Sequence, residues 1–241
     1  MRELSEIPES WLSISSYLDP AWLEPDNLAI IKTRLKAGAL IVVRDAFRLA
    51  FAERMYQCLD TCKAWKCYEA ALHNFHYHHH NLYDKSDYPA DLAWCEKIFN
   101  SKASTDFVSR LSERDCRGSA VFSASWYLPG DHSLPHNDQV AHGAEHRQVA
   151  FIWHLTKNWK SEWGGALFWC PRMVSICPQF NSLILFNVGG ESEHFVTAVS
   201  PYACGKRLTI NGWWTGPEPT EGAPDRNPER IRTDLYEIEV Y

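Results

Sequence analysis

The chain has 241 residues, 45% of them hydrophobic and 13% aromatic, enough to bury a substantial core in one large domain or two small ones. A net charge of −6 and a pI near 6.0 give no basic footprint for nucleic acid or an anionic membrane. No apolar run approaches the roughly 18 residues of a membrane span, and no secretory signal opens the chain, which predicts a soluble, cytoplasmic protein without nucleic-acid or membrane partners.

Residues 26–37, DNLAIIKTRLKA, place Leu28, Ile31 and Leu35 at helical spacing behind Asp26 as N-cap, and Gly38 ends that helix. ALIVV (39–43) reads as a buried strand and AFRLAFAERMYQCLDTC (46–62) as a second amphipathic helix. Eight cysteines, none in a CxxC pair, predict reduced thiols and no disulfide framework. Five of the eleven histidines fall between residues 73 and 80 of HNFHYHHHNLYDKSDYP (73–89). Three readings of that stretch are open: a flank or lid of a substrate pocket, with His73, His76 and His78 lining it, a second metal site, or a solvated loop.

From residue 119 the texture changes to short β-type runs broken by Gly, Pro and Asn: SAVFSASWY, QVAFIWHL, GALFW, MVSIC, SLILF, HFVTAV and RLTINGWW. They predict a mostly β fold with flanking helices, built on a double-stranded β-helix (jelly roll). The organisation expected is a single domain: helical support and a substrate-side segment over 1–118, the jelly-roll core over 119–214, and an extended tail over 215–241. Within the tail, the Pro- and charge-rich part reads as a surface segment, and LYEIEVY (235–241) as a strand that returns to the sheet edge.

Chemistry begins at PHNDQ (135–139), where His136 and Asp138 stand one residue apart. Such a pair is equally two polar side chains on an exposed strand. His194 lies 58 residues further on, at the start of HFVTAV. Two His and one carboxylate make the facial triad of non-haem Fe(II) oxygenases, with positions left open for substrate and oxygen. A zinc hydrolase uses the same ligand types. Arg207, within an apolar run, is either a surface residue of an edge strand or a fork-shaped cation for a small dicarboxylate. Iron plus a buried Arg point together to 2-oxoglutarate.

From Tyr127 to Gly216 the chain resembles the Fe(II)/2-oxoglutarate-dependent dioxygenases of the prolyl hydroxylase type. YLPGDHSLPHND is similar to the family's Tyr-x-Pro-Gly … His-x-Asp segment, and FIWHLTKNWKSEWGGALFW to its strand, Trp-containing turn and Gly-Gly pair. PQFNSLILFNVGGESEHFV looks like the stretch that delivers the distal His, and KRLTINGWWTG like the Arg strand ending in Gly-Trp. That ending most resembles the hydroxylases of a ribosomal-protein prolyl residue. The resemblance implies His136, Asp138 and His194 as Fe(II) ligands, Arg207 as the partner of the 2-oxoglutarate carboxylate, and Tyr127 in the cosubstrate pocket. His154 stands where relatives often place a second Tyr. Thr209, on the same strand face as Arg207, is another candidate for that supporting contact. Gln139, Asn211 and Trp213 are further pocket candidates.

The activity implied is O2-dependent hydroxylation of an unactivated C–H bond in an amino-acid unit, most simply a prolyl residue of a peptide or protein, with release of succinate and CO2. The alternatives are an oxygenase of a free amino acid or small metabolite, and a non-enzymatic metal-binding jelly roll, which would have no use for Arg207.

Overall fold

The computed structural model describes residues 12–72, 75–142, 145–217 and 238–241. Proline at its first position and glycine past its end delimit the first helix, α1 (Pro25–Lys36). The N-cap is Glu24, not Asp26, because Pro25 suits the first helical position, where an N–H would go unused; Asp26 sits in the first turn. Gly38, at φ +76°, takes the left-handed position and donates its N–H to the Leu35 carbonyl. Helix α2 (Leu49–Thr61) buries Phe51, Ala52, Met55 and Leu59.

Two helices the sequence reading did not name, α3 (Ala90–Asn100) and α4 (Lys102–Ser112), meet at Ser101, whose hydroxyl accepts from the Ser104 N–H and caps α4. Their buried faces include the polar residues Glu96, Ser104, Thr105 and Ser112 beside the apolar ones. No helix among the described residues is long and apolar enough to cross a membrane.

The strands are β1 (Ile41–Val43), β2 (Lys66–Leu72), β3 (Phe75–Leu82), β4 (Val121–Tyr127), β5 (His132–His136), β6 (Ala141–His142), β7 (Glu145–His154), β8 (Leu167–Trp169), β9 (Val174–Ile176), β10 (Ser182–Asn187), β11 (His194–Val196), β12 (Arg207–Gly216) and β13 (Ile238–Val240). They form one curled antiparallel sheet in the order β13-β1-β10-β7-β12-β4-β3-β5-β11-β8-β9, with β2 on β3 and β6 on β7. Each of the seven predicted runs becomes a strand, and the last residues return to the edge, Glu239 opposite Val42. The Pro-rich part of the tail, 218–237, lies outside the described residues.

Alternation of side chains divides the core in two. Phe122, Phe151, Trp153, Leu183, Leu185, Ile210 and Trp214 pack against the helices. On the other face Ile184, Phe186, Leu167, Trp169 and Val196 fill the inside of the curl. Phe51 of α2 stacks on Trp153 at 5.3 Å, and each such buried ring contributes about 2–3 kcal/mol.

Of the readings open for the histidine-rich stretch, the loop is corrected: β3 pairs with β2, β4 and β5 inside the sheet and flanks the cavity as a strand.

Candidate active site

His136 ends β5 and His194 opens β11, and the two are direct antiparallel partners. Their rings lie 4.4 Å apart. Each Nδ1–H donates to a backbone carbonyl two residues back, His136 to Leu134 at 2.7 Å and His194 to Ser192 at 2.8 Å. A carbonyl only accepts, so both protons are held on Nδ1 and each Nε2 presents its lone pair to the centre.

Asp138 completes the group. Its oxygens lie 3.4 Å from His136 Nε2 and 3.5 Å from His194 Nε2, and the three ligand atoms fall within 4.8 Å of one another. Asp138 takes a left-handed backbone, φ +64°, which Asp tolerates better than most residues and which turns the carboxylate back toward the histidines. Burial first, then the neighbouring His136, lowers the His194 pKa, against the opposing pull of Asp138. A neutral imidazole is the form that binds a metal.

Two residues fasten the carboxylate from behind. Trp213 donates its indole N–H to Asp138 Oδ2 at 2.8 Å, and Arg147 reaches Oδ1 at 3.4 Å while lying 3.5 Å over the Trp213 ring. Trp213 was a sequence candidate; Arg147 was not. Its position escapes strand counting because the β7–β12 register skips Gln148, a bulge that places Arg147 on the pocket face with Ala150 and Ile152.

These groups share a cavity of about 600 Å³ with Arg207, Tyr127, Thr209 and Asn211. Arg207 is 2% exposed. Its Nε donates to the Gly165 carbonyl and its guanidinium lies 4.4 Å over the Tyr127 ring. Among the described residues no carboxylate pairs with it. Burial pushes its pKa down to about 10, so it remains a cation at neutral pH. Burial likewise pushes the Tyr127 phenol up to about 12 and keeps it neutral. A buried cation without a counter-charge calls for an anionic ligand. Thr209 donates to Asn211 Oδ1 at 3.1 Å on the same strand face, as the alternation predicts.

His154 is fully buried, and neither ring nitrogen has a hydrogen-bond partner. Burial above all, then the charges of Arg207 and Arg44, holds its pKa well below the ordinary value. It pairs with Thr209 across β7 and β12, next to the Arg207 end of the cavity, but does not line the main cavity.

Strand β3 contributes residues other than those expected. Tyr77, His79 and Asn81 face the cavity, whereas His76 and His78 are not among its lining, because alternate side chains of a strand point to opposite faces. His73 lies outside the described residues. His79 stacks on Tyr127 at 4.7 Å, leaves its Nδ1 unpartnered, and has its pKa lowered to about 4, chiefly by burial. Gln139 and Tyr83 stand at the cavity's exposed rim, with Tyr68 half-buried beside them.

A curled β sheet that presents two His and one carboxylate to a shared cavity, beside an unpaired buried arginine, defines a site of the non-haem Fe(II) oxygenase class. Residues 122–215, the part of the chain that holds the site, match the model of the 2OG-Fe(II) oxygenase superfamily. "Prolyl 3-hydroxylase sudestada1" of Drosophila melanogaster is 35% identical over 138 residues, 51% of this chain and 22% of that protein. "Prolyl 3-hydroxylase OGFOD1" of Mus musculus is 31% identical over 123 residues, 47% of this chain and 22% of that protein. The chain thus spans about a fifth of the length of these curated relatives. A prolyl hydroxylase from Trichoplax adhaerens, solved with a hypoxia inducible factor peptide fragment, shares the fold. Its TM-score is 0.59 at 16% identity, over 81% of this chain and 94% of that one.

The residues present fit Fe(II) and 2-oxoglutarate. Three converging donors suit the metal, and the unpaired Arg207 suits the far carboxylate of the keto acid.

Proposed function

We propose that the protein hydroxylates a prolyl residue within a peptide or protein, using Fe(II), 2-oxoglutarate and O2. The observation that carries this reading is the placement of His136, Asp138, His194 and the uncompensated Arg207 around one cavity. When bound, iron and cosubstrate supply the oxidising power: one oxygen atom enters the C–H bond, the other enters succinate, and CO2 leaves. His136 and His194 would hold the metal through Nε2 and Asp138 through its carboxylate, with Trp213 and Arg147 keeping that carboxylate in place. Arg207 would orient the cosubstrate by its far end, and Leu167, Ile152 and Val196 give that end of the cavity apolar walls that limit water.

The same cavity favours a peptide over a free amino acid. A free amino acid brings an ammonium group, and among the described residues the only carboxylate lining the cavity is Asp138, which is committed to the metal centre. The rim is aromatic instead, with Tyr68, Tyr77 and Tyr83. The names of the relatives, prolyl 3-hydroxylases, point the same way.

The test is mass spectrometry of proline-containing peptides and of free amino acids incubated with the enzyme, Fe(II), 2-oxoglutarate and air. One oxygen atom added to a prolyl residue, matched by succinate, is the expected result. Oxidation of free amino acids with peptides untouched would transfer the reading to a metabolite oxygenase. Absence of succinate with every substrate would remove the oxygenase reading altogether.

A further inference from the structure

The other face of β3 carries a second cluster, away from the cavity. Asp131, only 1% exposed, follows the Pro129–Gly130 turn that joins β4 to β5. Its carboxylate accepts from His78 Nδ1 at 2.7 Å, His80 Nδ1 at 3.1 Å and the Leu128 N–H at 2.9 Å. An ionised carboxylate only accepts, so the bond from His78 fixes its proton on Nδ1 and leaves a lone pair on Nε2. That lone pair faces the sulfur of Cys67, 3.3 Å away across the β2–β3 hairpin. The thiol is therefore the donor, with its proton directed at the imidazole.

Cys67 is exposed. Glu69 stands opposite His78 in the ladder, but its carboxylate meets His76 at 3.1 Å, and His76 meets His132 at 2.8 Å. Among the described residues the only three-ligand metal group is His136, Asp138 and His194, and it does not include the outer cluster. What remains is a thiol, an imidazole that can take its proton, and a buried carboxylate that orients and stabilises the imidazolium. That is the order of groups in an activated cysteine nucleophile.

We propose that Cys67, with His78 as base and Asp131 as positioning residue, is a reactive-thiol site modified by small disulfides. The Cys67 sulfur passes its proton to His78 Nε2 and attacks one sulfur of the disulfide. A new S–S bond forms as the old one breaks, and the departing thiolate takes the proton back from His78. Cys67 is oxidised by the exchange and the released thiol is the reduced product. A small disulfide suits the place because the sulfur lies on an open strand, not in a pocket, and the reagent brings its own leaving group. This inference is independent of the hydroxylation reading.

The chain contains its own control. Cys204 is also exposed, but its sulfur meets only the Tyr202 carbonyl, at 3.3 Å. The chain is treated at pH 7 with cystamine and, separately, with iodoacetamide, and modification of each cysteine is timed by peptide mass mapping. Cys67 is expected to react at least about tenfold faster than Cys204 with both reagents. His78→Gln, with fold checked by circular dichroism, should bring Cys67 down to the Cys204 rate. Because Asp131 is buried and its replacement threatens the turn, His78→Gln carries the decision. Equal rates at the two cysteines in the unmodified chain, or an unchanged Cys67 rate in folded His78→Gln, would overturn the proposal.

Discussion

His79 links the cavity to acid stability. Its pKa in the folded state is about 4, against 6.5 for an ordinary imidazole, so below pH 6.5 the unfolded chain binds a proton that the folded chain resists. The stability this residue contributes is complete above pH 6.5 and is lost as pH falls from there toward 4. Loss of about 2 kcal/mol is expected between pH 7 and pH 5 from this residue. Urea unfolding at the two pH values should show a correspondingly smaller drop for His79→Gln; an identical drop would mean that His79 is solvated in the folded state.

Arg207 and His154 make a second residue-level prediction. Two charge-assisted hydrogen bonds to a carboxylate are worth about 3 kcal/mol in a buried site, so Arg207→Leu should weaken 2-oxoglutarate binding by roughly a hundredfold. His154, neutral and unpartnered behind the lining at the Arg207 end, would offer one ring N–H if that carboxylate reaches past the guanidinium. His154→Phe should therefore weaken 2-oxoglutarate by about tenfold. It should leave 2-oxobutyrate, which has the same keto-acid head and no far carboxylate, unaffected. Calorimetry under nitrogen with the Fe(II)-loaded protein separates these outcomes. Equal weakening of both ligands would make His154 a packing residue.

At the scale of elements, the Gly164–Gly165 pair shows why a loop motif was visible in the sequence. Both residues have positive φ, +66° and +64°, and a Cβ on Gly165 would lie 2.8 Å from Arg207 Cδ. The loop must pass this closely because its carbonyl orients the guanidinium. Gly165→Ala should cost about 1–2 kcal/mol of stability through its backbone alone. By displacing Arg207 it should also raise the dissociation constant for 2-oxoglutarate; an unchanged constant would uncouple loop and arginine. The strands themselves were readable from alternation in β4, β7 and β12, whose helix-facing residues are mostly apolar. The β2–β3 hairpin was not readable, because its cavity face is Tyr and His and its outer face His, Cys and Glu, so neither side carries an apolar stripe.

For the molecule as a whole, the curl of the sheet matters most. It brings β3, far upstream in sequence, between β4 and β5, so that a hairpin outside the residues of the family match becomes the wall facing the metal centre. If a peptide lies across that wall, amide hydrogen exchange in Lys66–Leu72 and Phe75–Leu82 should slow when substrate joins the Fe(II) and 2-oxoglutarate complex. The amides of α3 and α4, which pack behind the sheet, should not respond. Protection confined to the helices would place the substrate elsewhere.

The sequence by itself determined the ligand set, the arginine and the class of fold. Each rests on short-range order: His-x-Asp within one turn, a histidine and an arginine at the starts of apolar strands, and side-chain alternation along each run. Only the tertiary structure decided which histidines of the 73–80 run meet the cavity, that Arg147 and Trp213 hold Asp138, and that Cys67, His78 and Asp131 converge on the far side. Those outcomes depend on strand order, on a bulge at Gln148 that reverses the facing of β7, and on contacts between residues tens of positions apart. A one-residue change in register exchanges the two faces of a strand, and nothing local to the strand records which register the sheet adopts.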